Sequence, residues 1–288
     1  MSTKKQQQKK PEDYGTTGHS WDGIEELNTP LPRWWLWTFY ACIVWGIGYT
    51  IMYPAWPLIT GATPGLSGFS TRANVAADIA AVDQANGPIN ERLVGAELTQ
   101  ISADPELLTY ATNGGKAVFA TYCSQCHGSG AAGNVGFPNL LDDDWLWGGD
   151  VENIHATITH GIRNDDLDSR YSEMPAFGEI LEQEEIASLV SYVMSLSGEP
   201  ANPALVPAGA ELFLDNCSAC HGENALGDYD QGAPNLADAI WLYGGDEAAL
   251  TETITYSRYG VMPPWNEILT EAEIRAVSVY VHQLGGGE

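Results

Sequence analysis

Two five-residue runs hold side chains whose types and spacing can do chemistry: Cys123-Ser124-Gln125-Cys126-His127 and Cys217-Ser218-Ala219-Cys220-His221. Two thiols separated by two residues can add to the two vinyl groups of a haem. The histidine that follows then lies under the iron with a ring nitrogen to donate. Paired cysteines at this spacing also serve redox dithiols and zinc sites. The histidine appended to both copies favours covalent haem attachment, so the cofactors expected are two covalently bound haem c groups.

A histidine-bound iron has a second axial position to fill. Met174 and Met262 are the only methionines at matching places after the two runs, and each precedes a proline, which lacks an N–H and fixes the turn. A lone methionine is usually core filling. The paired placement points instead to thioether ligation, which raises the reduction potential and suits electron transfer. Met194 is matched by His282 and reads as packing. His155 and His160 face Thr251 and Tyr256, so neither recurs; either is the alternative to Met174 at the first iron. Pro138 and Pro234 fall where a carbonyl could accept the axial histidine's other ring N–H and so fix its tautomer, with ordinary loop geometry as the alternative.

The elements around these groups come in duplicate. Gly115 and Phe119 precede the first run as Gly209 and Phe213 precede the second, four apart and so on one helix face. Pro138-Asn139-Leu140 is matched by Pro234-Asn235-Leu236, and Trp145-Leu146-Trp147-Gly148-Gly149-Asp150 by Trp241-Leu242-Tyr243-Gly244-Gly245-Asp246. Asp150 and Asp246 read as helix N-caps. Glu179-Ile180-Leu181 and Glu267-Ile268-Leu269 each lead into an amphipathic helix carrying Tyr192 or Tyr280. The offset drifts from 94 residues at the cysteines to 88 at the methionines, as loop insertions would cause. Two haem-bearing domains follow, 112–198 and 199–288, divided at a Gly/Pro/Asn-rich stretch.

Residues 1–33 read as a polar, largely disordered leader, with Trp21-Asp22-Gly23-Ile24-Glu25-Glu26 as a segment able to pack on a partner. Residues 34–59 contain no charged side chain, and about 20 apolar positions suffice to cross a bilayer. Trp34, Trp35 and Trp37 at one end, with Tyr53 and Trp56 at the other, form the expected interfacial belts. Arg33 and the N-terminal lysines precede this span, which places the N-terminus in the cytoplasm and the remainder outside. A cleaved signal peptide fits poorly, because the run is too long and starts too far from Met1. The fifth cysteine, Cys42, sits within the run as a small apolar residue. Residues 60–111 are a linker or arm, weakly helical, with breaks expected at Gly87-Pro88 and Asp104-Pro105.

The net charge of the 288-residue chain is −26. Residues 1–60 balance, with Lys4, Lys5, Lys9, Lys10 and Arg33 against Glu12, Asp13, Asp22, Glu25 and Glu26. The whole deficit therefore lies beyond residue 60, where it excludes nucleic acid and attracts a cationic partner.

One membrane anchor followed by two tandem class I cytochrome c domains resembles the dihaem subunit of cbb3-type cytochrome c oxidases. The approach to the anchor, Trp21-Asp22-Gly23-Ile24-Glu25-Glu26-Leu27-Asn28-Thr29-Pro30-Leu31-Pro32-Arg33-Trp34-Trp35, is similar to that subunit's own. The resemblance implies an all-α protein of a bacterial inner membrane, single-pass, with periplasmic haem domains. It implies as partners a catalytic haem–copper subunit, a monohaem cytochrome c subunit and a cytochrome c electron donor. It implies a non-catalytic electron-input role in respiration at low oxygen. Cys123, Cys126, His127 and Met174 match the family's first haem, and Cys217, Cys220, His221 and Met262 its second. Two other functions share the same motifs: a tethered dihaem carrier or dehydrogenase cytochrome subunit outside any oxidase, and a dihaem peroxidase, which needs one open iron.

Overall fold

The computed structural model describes residues 15–287 and divides into a unit ending at Gln84 and a second beginning at Ala85. The N-terminal lysines, Glu12 and Asp13 lie outside the described residues.

In the first unit, β1 (Thr16–Trp21) and β2 (Ile24–Leu27) form an antiparallel hairpin where disorder was expected. Asp22 and Gly23 turn it with φ of 50° and 82°. An Asp-Gly pair accepts two left-handed residues in succession, the geometry a tight hairpin needs. Helix α1 (Arg33–Met52) follows, 20 residues long, with none buried. At 1.5 Å per residue it reaches about 30 Å, the depth of a hydrocarbon core. Thr38 and Thr50 donate their hydroxyls to the carbonyls of Trp34 and Ile47, which hides those donors along an apolar helix. Among the described residues this is the one helix long and apolar enough to cross a membrane. It stops at Tyr53, ahead of Pro54, and so falls short of residue 59; the rest of the run enters the two-residue strands β3 (Pro57–Leu58) and β4 (Gly61–Ala62). Helix α2 (Thr71–Gly95) runs through Gly87-Pro88, where a break was expected. Glycine there removes the Cβ that a proline ring would otherwise crowd.

The second unit carries the repeats. Asp104 caps α3 (Pro105–Val118) by accepting from the N–H groups of Glu106 and Leu107. A π-helical turn, Phe119–Cys123, leads into α4 (Ser124–His127). Asp150 caps α5 (Val151–His160), and a Glu182/Glu185 capping box starts α6 (Gln183–Ser197). The second copy supplies α7 (Val206–Asn216), α8 (Ser218–His221), α9 (Glu247–Tyr256), capped by Asp246, and α10 (Glu271–His282), opened by a Thr270/Glu273 box. These caps satisfy N–H groups that no helical carbonyl can reach.

The helices do not pair within their own repeats. Helix α3 of the first repeat packs on α10 of the second, and α7 of the second packs on α6 of the first. Both crossings use the same device. A Cβ at Gly115 would collide with the Ala276 carbonyl oxygen, and one at Gly209 with that of Ser188. The missing side chains let the backbones meet. One turn on, Phe119 meets Tyr280 with ring centroids 5.6 Å apart, and Phe213 meets Tyr192 at 5.2 Å. One core therefore joins Phe119, Leu140, Ile154 and Ile158 to Ile274, Val277 and Val281. The other joins Ile186, Leu189, Val190 and Val193 to Phe213 and Leu250. A third cluster adds Leu93 and Ile101, both fully buried against Ala111, Ala276 and Val279, and Arg275 donates to the Ala96 carbonyl at 2.6 Å. The end of the arm is thus an outer wall on α10.

Gly115→Ala would push α3 from α10. The expected loss is about 2 kcal/mol, the cost of overpacking less the helix propensity gained, read as a lower melting temperature of the haem-loaded full-length chain.

Candidate haem sites

The second motif lies at the end of α7 and on α8. Its His221 is 8% exposed, and its Nδ1 is 3.0 Å from the Pro234 carbonyl oxygen. The first motif repeats this geometry, with His127 Nδ1 3.1 Å from the Pro138 oxygen. A carbonyl only accepts, so Nδ1 carries the proton in both rings and Nε2 keeps its lone pair for a metal. Burial lowers the pKa of both imidazoles, against a raising effect of that carbonyl bond, which favours the neutral, ligating form. Cys123 and Cys217 are pushed up to about 11, chiefly by burial and then by the second cysteine of each pair. Reactive dithiols need the opposite shift, so the redox-dithiol alternative loses support.

Two residues missed in the sequence hold these carbonyls in place. Gly133 and Gly227 each stand six after the histidine and donate to its carbonyl, with φ of 68° and 82°. A Cβ on either would overlap a carbonyl oxygen of the loop carrying Pro138 or Pro234. Their recurrence at one spacing was the available signal.

The methionines sit opposite to expectation. Met174 lines the cavity of about 390 Å³ that also holds Cys217, Cys220 and His221, walled by Leu189, Phe213 and Leu250. Ser257, just beyond α9, donates to the Met174 carbonyl. Met262 belongs to the core containing Phe119 and Cys123, and its backbone pairs with Ile162 in both directions, at 2.9 and 3.0 Å. Trp265, three residues on, meets Tyr122, the neighbour of Cys123, with ring centroids 5.6 Å apart. The pairing expected along the repeats, Met174 with His127 and Met262 with His221, is therefore corrected: His127 goes with Met262, and His221 with Met174. The reason is the helix exchange, because each methionine travels with the C-terminal helix it precedes.

The set fits a covalent haem. It offers two thiols, a neutral buried imidazole with a free nitrogen, a thioether and apolar walls. His155 and His160 are engaged elsewhere, His155 by Glu271 and His160 by Asp166, each at 3.2 Å. Met194 packs in the α6 core.

The crossed pairing has a direct check. In full-length chain whose first motif is Cys123→Ala/Cys126→Ala, Met174→Ala should abolish the remaining methionine–iron absorption band, and Met262→Ala should leave it. A second check uses Asp144, which lines the same cavity. Burial pushes it up to about 6, and Asp238, Asp142 and Asp143 add to the shift. A carboxyl raised above its unfolded value holds its proton longer when folded, so stability falls as pH rises from about 4 through about 6. Asp144→Asn should be more stable than the wild type at pH 7.5, by about 1 kcal/mol after solvent screening, and equal to it near pH 4 in thermal melts.

Comparison with known proteins agrees with this arrangement. Residues 14–60 match the N-terminal domain of cytochrome oxidase-cbb3, FixP, and residues 111–193 and 204–281 match the family described as cytochrome C oxidase, cbb3-type, subunit III. The chain is 64% identical to the cbb3-type cytochrome c oxidase subunit CcoP of Cereibacter sphaeroides over the whole of both chains. It is 56% identical to that of Rhodobacter capsulatus, covering 95% of this chain and 96% of the relative. It is 54% identical to the cbb3-type cytochrome c oxidase subunit FixP of Bradyrhizobium sp., covering 95% of each. The helical unit with two haem-attachment motifs behind one apolar helix belongs to the subunit III family of cbb3-type cytochrome c oxidases.

Proposed function

We propose that the chain carries two haem c groups and relays electrons into an oxygen-reducing complex, doing no bond chemistry on oxygen itself. The observation that carries this is the crossed pairing. Each buried histidine shares its core or cavity with a methionine from the other repeat. Cys123, Cys126, His127 and Met262 would hold one haem, and Cys217, Cys220, His221 and Met174 the other. The haems supply one-electron chemistry at a raised potential. The chain's part is to bury each iron between imidazole and thioether, keep substrate from it, and hold both centres in one helical unit. This favours conduction over a peroxidase, which needs an open position.

Helix α1 anchors the unit, with Arg33 and the preceding lysines on the cytoplasmic side and repeats 112–198 and 199–288 in the periplasm. Partners are the catalytic haem–copper subunit and the monohaem cytochrome c subunit of the complex. The donor is a basic cytochrome c, drawn by acidic charge that lies wholly beyond residue 60.

The test is purification in mild detergent followed by reduction kinetics. Co-elution with a copper-containing subunit is expected, together with input from a basic cytochrome that slows about tenfold or more between low and physiological salt. A chain that elutes alone would support the free carrier instead, and ready carbon monoxide binding at either haem of this chain would support the peroxidase.

A further inference from the structure

Two buried donors in the second unit have no hydrogen-bond partner among the described residues: Trp147 Nε1 and Arg170 Nε. They are neighbours. The Arg170 guanidinium lies over the Trp147 ring, 5.5 Å from its centroid. Trp147 is 6% exposed. A buried N–H without a partner costs roughly 1–3 kcal/mol, so two side by side mark a place built for an acceptor. Arg170 also forms no ion pair among the described residues. Asp150 and Asp230 act on it only through space, and its other bonds run to the Asn153 carbonyl and side chain.

The second repeat shows where this pair sits. Tyr243 is the counterpart of Trp147, and Arg258 lies over its ring, 4.9 Å from the centroid. Both Tyr243 and Arg258 line the cavity holding Cys217, Cys220 and His221. The two arginines are not aligned in sequence, since Arg258 is the second residue after α9 and Arg170 the tenth after α5. They nonetheless end on the same backbone group. Arg258 donates to the Ala249 carbonyl at 2.7 Å and Arg170 to that of Asn153, and both carbonyls belong to the third residue after the capping aspartate. Two loops of different length deliver a guanidinium to one place beside each haem motif.

We infer that Trp147 and Arg170 form a carboxylate seat in the first site, and that its ligand is a carboxylate side chain of the haem held there. This rests on the dihaem reading proposed above. Two donors on adjacent planar groups suit the two oxygens of a carboxylate, and Arg170 is left with charge to neutralise it. The seat also lies at the junction of the two sites. A Cβ on Gly232, which lines the second cavity, would run into Trp147 ring carbons, while one on Gly136 would lie 3.2 Å from the Tyr243 ring, and the Gly136 N–H donates to the Leu242 carbonyl at 2.8 Å.

The test is a spectroelectrochemical titration of the full-length chain, haems counted first by pyridine haemochrome. Removing a cation beside a haem carboxylate leaves more negative charge near the iron and disfavours reduction. Arg170→Gln should make one haem about tenfold harder to reduce, which for a one-electron couple is about 59 mV. Trp147→Phe keeps the ring, drops the N–H and should move the same wave the same way by less. Arg170→Lys should bring the wave back toward wild type, which a purely packing role would not do. Arg258→Gln should move the other wave. Two haems with both waves unmoved in Trp147→Phe and in whichever Arg170 variants load haem would overturn the seat. So would one wave moving in both the Arg170→Gln and Arg258→Gln chains. A count of one haem would instead overturn the dihaem reading.

Discussion

The close crossing of α3 on α10 and of α7 on α6 is the constraint on which the rest depends. Each crossing brings backbone against backbone at a glycine and locks the next turn with an aromatic pair. Interiors this dense transmit displacement, because no void absorbs it. What leads up to each C-terminal helix is placed by that crossing, including the methionine loop. The identity of the axial pair is thus a by-product of helix packing, decided some way from the sites themselves.

The exchange also explains why two sites share one unit. Were each repeat to close on itself, the segment between would be a linker and the two bodies free to turn. Here the chain crosses twice, between α5 and α6 and again between α9 and α10, and core residues from both repeats fill both clusters. A relay gains from this. Electron transfer between fixed centres needs them held at one separation, and reciprocal contacts of Trp147 on Gly232 and Tyr243 on Gly136 press the two site loops together. Preorganisation of this kind costs nothing at the moment of reaction.

Charge completes the division of labour. The anchor region is neutral overall, and the acidic excess covers the part that meets a soluble partner. Near the sites the sign changes locally. Arg163, Arg170 and Arg258 each lie over an aromatic ring, half-buried among carbonyls. Outside the chain the field attracts a cation; beside the motifs, cations stand ready for an anion.

Much of this was legible in the residues. The cysteine–histidine runs state their chemistry without a structure, because a covalent attachment needs its residues adjacent. Asp150 and Asp246 announce helix starts, since capping is local, and the uncharged run with tryptophans at its edges announces a span, since a bilayer imposes length and composition directly. The Asp22-Gly23 hairpin was equally local and was overlooked. What only the tertiary structure decided is partnership. Tyr192 and Tyr280 offer the same ring to Phe119 and to Phe213, and Met174 and Met262 offer the same thioether to either histidine. Nearly identical surfaces carry no signal of which one binds, so sequence order suggested the wrong pairing. Arg170 and Arg258 show the converse: unaligned positions reach equivalent places because loops of unequal length converge on one backbone carbonyl. Choices among equivalent partners are made by the path of the chain in space, and that path is a property of the whole fold.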